Sequence, residues 1–340
     1  MPWKMQSLLW KFLPADRAVN LSLYIFGTLL ALMLVVYVGG RFLKRRWLSR
    51  VAAAVAGLVL LSWGLLLVTR PAWLRIALQA DVPMPTASTL RWETRAPGLD
   101  TAELELRVGD SVVDHMVLVR LDPQLYRLSV HWDPSGTRIA EDWQHELDAA
   151  VVVNGSFFGD DFVPLTPLRT SSRAAGPDSY QSTHGVFVAN GSHVEILDLK
   201  DRDVFQAIGK FPEAMVSYPL LIDANGENRA VESKVWLVSR NFLALDASGR
   251  VVLGTTETGF FTIHRLGEFL KASPLGLRCA LNFDGGPLVS QVVHAGQFSR
   301  AFHGKAEISN GSDVLRVFWH EHFGRSWTLP IVLVAVPVAP

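Results

Sequence analysis

The sequence contains a single cysteine, Cys279, among its 340 residues. One cysteine cannot form a disulfide within the chain, whatever the redox state of its compartment. Cys279 alternates with Leu281 and Phe283 in an apolar run, and alternate residues of a strand share one face. We therefore interpret Cys279 as a small core residue rather than a nucleophile.

The sequence also lacks an excess of either charge. Its 32 Lys and Arg residues balance its 32 Asp and Glu residues, whereas nucleic-acid-binding proteins usually carry a basic excess. We therefore expect no nucleic-acid partner. Internal repeats and low-complexity tracts are absent from the sequence as well.

Clustered metal ligands are a further absence. The histidines toward the C-terminus are scattered and do not show the spacing of a zinc site. We predict that the protein needs no cofactor. The alternative of a calcium-like cation held by Asn282 and Asp284 stays open, because calcium prefers oxygen ligands.

Two long runs in the N-terminal part of the chain carry no charge, residues 18–40 and 51–69. Each is close to the roughly 20 apolar residues that cross a bilayer, so we predict a two-helix transmembrane hairpin within residues 1–70. The segment between the runs is basic and contains no acid, which indicates a cytoplasmic loop. We therefore expect an anchor in the lipid bilayer of the cell (inner) membrane, with the following domain on the extracytoplasmic (periplasmic) side.

The rest of the chain predicts one globular domain. Residues 71–90 contain several prolines and are interpreted as a linker; residues 91–325 form the predicted domain. Residues 326–340 are interpreted as an apolar tail, too short to span a membrane. Alternating strand patterns and hairpin turns outnumber helical patterns, so the expected fold class is α+β, with a mixed, largely antiparallel sheet and a few helices.

Several elements are predicted from local patterns. Thr137 is the expected N-cap of a helix that precedes the strand ending at Asn154. Ala214–Ile222 and Val235–Leu245 are each interpreted as one strand. The stretch from Phe158 to Tyr180 is polar and long for a simple connection, which favours a functional loop or lid.

One stretch, Leu277–Gln291, ends an apolar run in Asn-Phe-Asp-Gly-Gly. Alternation places Asn282 and Asp284 on one side of the strand end. The two following glycines allow a tight turn and the close approach of a ligand to the backbone. The alternative is that Asp-Gly marks an ordinary hairpin turn.

This stretch resembles the phosphodiester glycosidase family, together with other segments in the same order over about residues 90–320. The segments that carry the resemblance are Trp92, Pro97-Gly98-Leu99, Arg120-Leu121-Asp122-Pro123, Asn154-Gly155-Ser156-Phe157-Phe158, Ser217-Tyr218-Pro219-Leu220-Leu221, Ser239-Arg240 and Asn282-Phe283-Asp284-Gly285-Gly286. The resemblance implies a hydrolase that cleaves the bond between a sugar anomeric carbon and a phosphate. Together with the predicted transmembrane hairpin, the expected protein is a membrane-anchored extracytoplasmic hydrolase.

Glycoside cleavage usually takes two carboxylates. Asp284 is the first candidate, followed by Glu257 and by Asp160 or its neighbour Asp161. The aspartates at positions 122, 223 and 246 are discounted because they lie in turn patterns, where aspartate bonds its own backbone.

The substrate-binding candidates follow from the expected ligand, a carbohydrate phosphodiester. Arginine grips two phosphate oxygens at once, so Arg240, at a family position, is the predicted phosphate clamp, with Arg169 as second choice. The remaining candidates are polar side chains and glycines at strand ends: Asn154, Ser156, Asn282, Gly285, Gly286 and His184. An isolated histidine such as His184 also has a structural interpretation.

The chain departs from the family pattern directly after Gly286. Many members carry a small hydroxyl residue there, whereas Pro287-Leu288-Val289 precede Ser290 in this chain. Two alternative functions follow. One is a non-catalytic glycan-binding envelope protein on the same fold, and the other is a phosphodiesterase that cleaves a phosphorus–oxygen bond.

Overall fold

The computed structural model describes residues 29–30, 32–38, 46–68, 72–77, 79, 81–181, 184–232, 236–309, 316–319 and 327–338. The chain divides into two units. The first comprises Met1–Arg75 with Ser309–Arg316, and the second comprises Ile76–Ile308 with Val317–Pro340.

Besides the helical residues 29–30 and 32–38, helices are few among the described residues. In chain order they are α1 (Arg46–Val68), α2 (Ala72–Ala77), α3 (Ala140–Glu146), α4 (Val204–Ile208) and α5 (Ile263–Ala272).

Residues 51–68 of the predicted second membrane span lie in α1, a helix of 23 residues in the first unit. Most of the first predicted span lies outside the described residues. Over the part of the chain that the structure describes, no helix is long and apolar enough to cross a membrane. The predicted transmembrane hairpin is therefore not supported by the described residues.

Strands dominate the second unit. In chain order they are β1 (Thr86–Ala87), β2 (Glu93–Ala96), β3 (Leu99–Val108), β4 (Ser111–Leu121), β5 (Tyr126–Trp132), β6 (Val151–Asn154), β7 (Leu168–Arg169), β8 (Ala174–Ala175), β9 (Gly185–Asn190), β10 (His193–Asp198), β11 (Glu213–Ser217), β12 (Leu220–Ile222), β13 (Trp236–Val238), β14 (Asn241–Asp246), β15 (Val251–Thr256), β16 (Leu277–Asn282), β17 (Ser290–Ala295), β18 (Phe298–His303), β19 (Ala306–Ser309), β20 (Arg316–Trp319) and β21 (Ile331–Pro337).

Most strands belong to three larger sheets. An eight-stranded sheet has the order β1-β3-β4-β15-β14-β16-β12, with β2 also paired to β3. One five-stranded sheet has the order β10-β9-β11-β7-β8 and the other has the order β18-β17-β6-β21-β5. The pairings within these sheets are antiparallel, for example β14 with β16 and β6 with β21. The expected α+β class with largely antiparallel sheets is confirmed.

The main core lies where the inner faces of the three sheets meet. Its members include Leu243 on β14, Val153 on β6 and Phe187 on β9, all fully buried. Cys279, Leu281 and Phe283 belong to the same cluster, as their alternation predicts. Helices cover the outer faces of the two five-stranded sheets. Trp143 of α3 packs with Val152 and Val332, and a separate cluster joins α4 to β9 and β11.

The prediction of an apolar tail over residues 326–340 differs from the structure. Ile331–Pro337 is strand β21, which lies between β6 and β5 and pairs with both. Its apolar residues are buried because the main core covers one face of this sheet and α3 covers the other. A strand that is buried on both faces shows no alternation, which is why its sequence resembles a featureless apolar run.

Four other local predictions are also corrected. The run 214–222 is divided at Tyr218-Pro219 into β11 and β12, which belong to different sheets. The described part of 235–245 is divided at Ser239-Arg240 into β13 and β14. The stretch 158–180 contains β7 and β8, so it is not a plain loop. The N-cap of α3 is Ile139, whose N–H bonds to Asp142, and not Thr137.

Candidate functional site

Three asparagines lie where strands of two different sheets end or begin. Asn154 closes β6, Asn241 opens β14 and Asn282 closes β16. All three side chains are almost completely buried. An amide in an apolar interior needs hydrogen-bond partners, and these asparagines find most of theirs in one another and in nearby backbone.

Asn154 connects the end of β6 to β14, to β17 and to the segment after β16 by hydrogen bonds. Its Nδ2 donates to the carbonyl oxygen of Asp284 at 2.8 Å. Its Oδ1 accepts from Asn241 Nδ2 at 2.9 Å and from the Ser290 N–H at 3.0 Å. Because these groups are internal, the geometry gives Asn154 a part in holding Asp284, whereas the sequence predicted contact with sugar hydroxyls.

Asn241 extends this network toward the outside of the sheet. Its Oδ1 accepts from Thr255 Oγ1 at 3.2 Å, and Thr255 Oγ1 accepts from Gln291 Nε2 at 3.1 Å. Arg300 then donates to Gln291 Oε1 at 2.8 Å and pairs with Glu103. Sequence reasoning did not find Asn241. It could have been predicted as a site residue because it is an amide directly after Ser239-Arg240, at the start of an apolar strand.

Asp284 lies just beyond β16 and is half-buried. Its N–H donates to the Gly155 carbonyl at 3.0 Å, and its Oδ1 accepts the Gly285 N–H at 2.8 Å. A Cβ atom at Gly285 would lie 2.9 Å from the Ser239 carbonyl oxygen, so only glycine fits there without a shift. Gly286 has φ +74° and donates its N–H to the same Ser239 carbonyl. The two glycines thus shape the turn that presents the Asp284 carboxylate.

A column of aromatic rings lies beside this turn. The Tyr218 ring stacks on Phe157, with ring centroids 4.2 Å apart, and on His184, with centroids 4.4 Å apart. Tyr180 completes the column by a hydrogen bond of 3.0 Å between its hydroxyl and His184 Nδ1. Burial lowers the pKa of His184, which favours the neutral imidazole.

Electrostatics connect the column to the carboxylate. Burial raises the pKa of the Tyr218 phenol, and the charge of Asp284 raises it further. A cavity of about 610 Å³ is lined by His184, Tyr180, Arg202 and Phe205. Asp284 is not among its lining residues, so the cavity is adjacent to the strand-end turn and does not contain it.

Asn282 leaves one acceptor unused. Its Nδ2 donates to the Tyr218 carbonyl at 2.8 Å, but within the described residues its buried Oδ1 has no hydrogen-bond partner. A buried amide oxygen without a donor is costly, and a ligand hydroxyl or N–H group would satisfy it. This observation agrees with the predicted role of Asn282 in substrate binding.

Arg240, the predicted phosphate clamp, is only 5% exposed. Its Nη2 donates to the Trp236 carbonyl at 2.8 Å, and its Nε lies 3.4 Å from the Phe261 carbonyl. These contacts engage the guanidinium with the backbone of its own domain, close to Gly285.

The structure places Glu257 in another network. Its carboxylate contacts His115 Nδ1 at 2.9 Å and Lys305 Nζ at 2.6 Å, and it lines a separate cavity of about 510 Å³ that contains none of the strand-end residues. Asp160 is exposed in the turn between Gly159 and Val163. The surroundings of Glu257 and Asp160 thus differ from those of Asp284.

Two further candidates are Ser156 and Arg169. Ser156 is buried, and its Oγ accepts from Thr166 Oγ1 at 3.3 Å. Arg169 is half-buried on β7, whose partner strand is β11. Within the described ranges, no group of three or more His, Cys, Asp or Glu side chains is arranged to hold a metal ion.

The comparison with family models bears on this region directly. Residues 148–314 match the phosphodiester glycosidase family, and this range contains the three asparagines, Asp284 and the aromatic column. The resemblance noted in the sequence is confirmed over this part of the chain.

Two solved structures are similar to the chain at low identity. One is the catalytic domain of zebrafish N-acetylglucosamine-1-phosphodiester alpha-N-acetylglucosaminidase, auto-inhibited by its pro-peptide: 13% identity, 79% of this chain and 94% of that chain covered, TM-score 0.47. The other is a hypothetical protein from Synechocystis: 14% identity, 76% of this chain and 64% of that chain covered, TM-score 0.46. No curated protein matches the chain.

Proposed function

We propose that the protein hydrolyses a sugar 1-phosphodiester, breaking the bond between the anomeric carbon and the phosphate oxygen, in a glycan or another envelope component. The observation that carries the proposal is the position of Asp284 within the residues that match the phosphodiester glycosidase family. Its carboxylate is held by the Gly285 N–H at a half-buried turn, beside an aromatic column and the unused acceptor of Asn282.

One well-placed carboxylate is consistent with this reaction. The departing phosphomonoester has a second pKa of about 6 and leaves as a stable anion, so the demand for a strong general acid is lower than for an ordinary glycoside. Asp284 then activates water or attacks the anomeric carbon itself. Glu257, bound to His115 and Lys305, is not needed for either step.

Product analysis tests the proposal. We expect the purified protein, incubated with a panel of sugar 1-phosphodiesters, to release free sugar and a phosphomonoester. Release of a sugar phosphate instead would indicate cleavage of the phosphorus–oxygen bond. Binding of the panel without turnover would identify a glycan-binding protein and contradict the hydrolase proposal.

We further propose that the N-terminal part anchors the protein in the inner membrane and that the catalytic domain lies on the extracytoplasmic side. The support is the sequence: two uncharged runs, residues 18–40 and 51–69, flank a loop with five basic residues and no acid. Alkaline phosphatase fused after residue 100 should be active. An inactive fusion, together with an active cytoplasmic reporter at the same position, would reverse the orientation.

A further inference from the structure

The half-buried Tyr218 is held by ring stacking and by backbone hydrogen bonds. Its ring lies between Phe157 and His184 with interplanar angles of 24° and 28°. Its backbone carbonyl accepts from Asn282 Nδ2 at 2.8 Å, and the neighbouring Ser217 Oγ donates to the Asn282 carbonyl at 2.6 Å. The ring is therefore fixed to the same strand end that leads into Asp284.

The hydroxyl of Tyr218 takes no part in the contacts that hold its ring and backbone. Across the described part of the chain, no hydrogen bond engages the Tyr218 hydroxyl, although a half-buried phenol usually finds a partner. Phe157 and His184 cover the two faces of the ring, so its edge and hydroxyl are what remain for a ligand. The Tyr218 hydroxyl is also close enough to the Asp284 carboxylate for its charge to raise the pKa of the phenol.

We propose that Tyr218 is a catalytic residue whose hydroxyl donates a hydrogen bond to the oxygen that links the sugar to phosphorus. This inference rests on the proposed hydrolysis of a sugar 1-phosphodiester. It assigns the two sides of the scissile bond to two groups: Tyr218 serves the departing oxygen, and Asp284 serves the attacking water.

The electrons and protons of the step balance without a co-reactant. The bond between the anomeric carbon and the linking oxygen breaks, and its electron pair stays on that oxygen, where the Tyr218 O–H stabilises the growing negative charge. Water attacks the anomeric carbon and transfers a proton to the Asp284 carboxylate. Tyr218 keeps its own proton, because the second pKa of a phosphomonoester, about 6, lies far below that of a phenol.

The electrostatic environment favours a donor over a nucleophile. A tyrosine nucleophile requires a phenolate, but burial and the Asp284 charge both raise the pKa of Tyr218. The phenol therefore stays protonated at neutral pH and is suited to donating a hydrogen bond.

The test is Tyr218→Phe, which keeps the stacked ring and removes only the hydroxyl. We expect kcat on a sugar 1-phosphodiester to fall about 100-fold or more, the usual effect of losing one donor to a developing oxyanion, with KM within about twofold. The loss should be larger for a methyl phosphodiester than for a phenyl phosphodiester, because the poorer leaving group needs the donor more. Tyr126→Phe is the matched control, since Tyr126 is a phenol on β5 that is 4% exposed, and it should behave as the wild type.

A binding measurement separates this inference from the proposed function. Methyl phosphate carries the oxygen that departs, and calorimetry should show about tenfold weaker binding to Tyr218→Phe than to the wild type, as for one lost hydrogen bond to a charged group. If Tyr218→Phe matches the wild type in turnover and in methyl phosphate binding, the role of Tyr218 is overturned and the hydrolase stands. If no diester is cleaved but binding depends on the hydroxyl, the hydrolase proposal fails and the contact to phosphate stands. A wild-type protein that neither cleaves diesters nor binds methyl phosphate overturns both.

Discussion

Hydrogen bonds distinguish the aspartates that stabilise turns from Asp284, the candidate catalytic residue. Asp122, Asp223 and Asp246 each accept the backbone N–H two residues further on, at 2.9, 2.9 and 2.8 Å. This is the turn geometry that their sequence contexts predict. Asp284 accepts the N–H of its immediate neighbour Gly285, so its carboxylate closes no turn of that kind.

This difference leads to a prediction about activity. Asp284→Asn keeps the shape of the side chain but removes the base or nucleophile, so we expect kcat to fall about 1000-fold, within the usual range for a lost acid–base group, with little change in KM. Steady-state kinetics on a cleaved diester measure it. Asp246→Asn is the control, because an asparagine keeps the turn bonds, and it should retain full activity. Near-normal turnover by folded Asp284→Asn would contradict the catalytic assignment.

A second prediction at this scale concerns Asp114, which is fully buried on β4. Its Oδ1 accepts the N–H groups of Glu257 and Thr258, while its Oδ2 has no partner among the described residues. Burial raises the pKa of this carboxyl to about 8, against about 3.9 in an unfolded chain. Between these values the folded protein holds the extra proton, so the free energy of unfolding decreases as pH rises, by at most about 1.4 kcal/mol per pH unit.

Asp114→Asn keeps the acceptor for the two N–H groups and removes the titration. Its free energy of unfolding should therefore change less between about pH 5 and pH 8 than that of the wild type. Urea denaturation at several pH values within this window gives the comparison. Parallel curves for the two proteins would show that Asp114 does not hold the extra proton.

At the scale of elements, patterns that stay within one sheet were predictable. The alternating run Tyr126–Trp132 forms strand β5, and the Asn-Gly pair at 190–191 marks the hairpin of β9 and β10, whose two-residue turn is Gly191-Ser192. Thr262 caps α5 by accepting the Arg265 N–H. Each of these follows from alternation or from a cap, which are properties of a few neighbouring residues.

Strands that pass from one sheet to another were not predictable. The apolar alternation continues through Tyr218-Pro219, yet β11 before it and β12 after it lie in different sheets. Alternation reports which residues are buried, and both sides of the break are buried. Pro219 was the available signal, because proline is rare inside a central strand.

The junction between sheets also supports a prediction about stability. Asn241→Ala removes the donor to Asn154 Oδ1 and the acceptor for Thr255, so we expect the free energy of unfolding to fall by about 2–3 kcal/mol, the cost of leaving buried polar groups unpaired. Chemical denaturation gives the value. Asn225→Ala, in an exposed turn, is the matched control and should change it by less than about 0.5 kcal/mol. Equal effects of the two substitutions would mean that the asparagine network does not stabilise the junction.

For the whole molecule, the sequence identified part of the candidate site. Asn282, Asp284 and the two glycines form one continuous motif, and the structure keeps them together. Arg240 also lies beside this motif, near Gly285. The contact of Glu257 with His115 depends on how β4 and β15 pair, and the pairing of two distant segments cannot be predicted from either segment alone.

The division of the chain yields a prediction on the same scale. The linker predicted over residues 71–90 contains β1, which pairs with β3, and Pro83, whose carbonyl accepts from Arg265 at 2.7 Å. A protein that starts at Ile76 should therefore be soluble and unfold cooperatively, and one that starts at Arg91 should have a lower Tm because it loses these contacts. Thermal unfolding of both proteins measures the difference. Equal Tm values would show that the segment before Arg91 adds nothing to the domain.

The position of β21 constrains when the domain can become active. Residues 331–337 fill the gap between β6 and β5, so during synthesis the strand that carries Asn154 lacks one neighbour until nearly all other strands have been made. Pairings between residues this far apart in sequence form slowly and leave strand edges exposed in the meantime. We therefore expect a chain interrupted before β21 to behave as an aggregation-prone intermediate and not as a weakly active enzyme. The strand that carries Asn154 is therefore paired on both sides only after β21 has been synthesised.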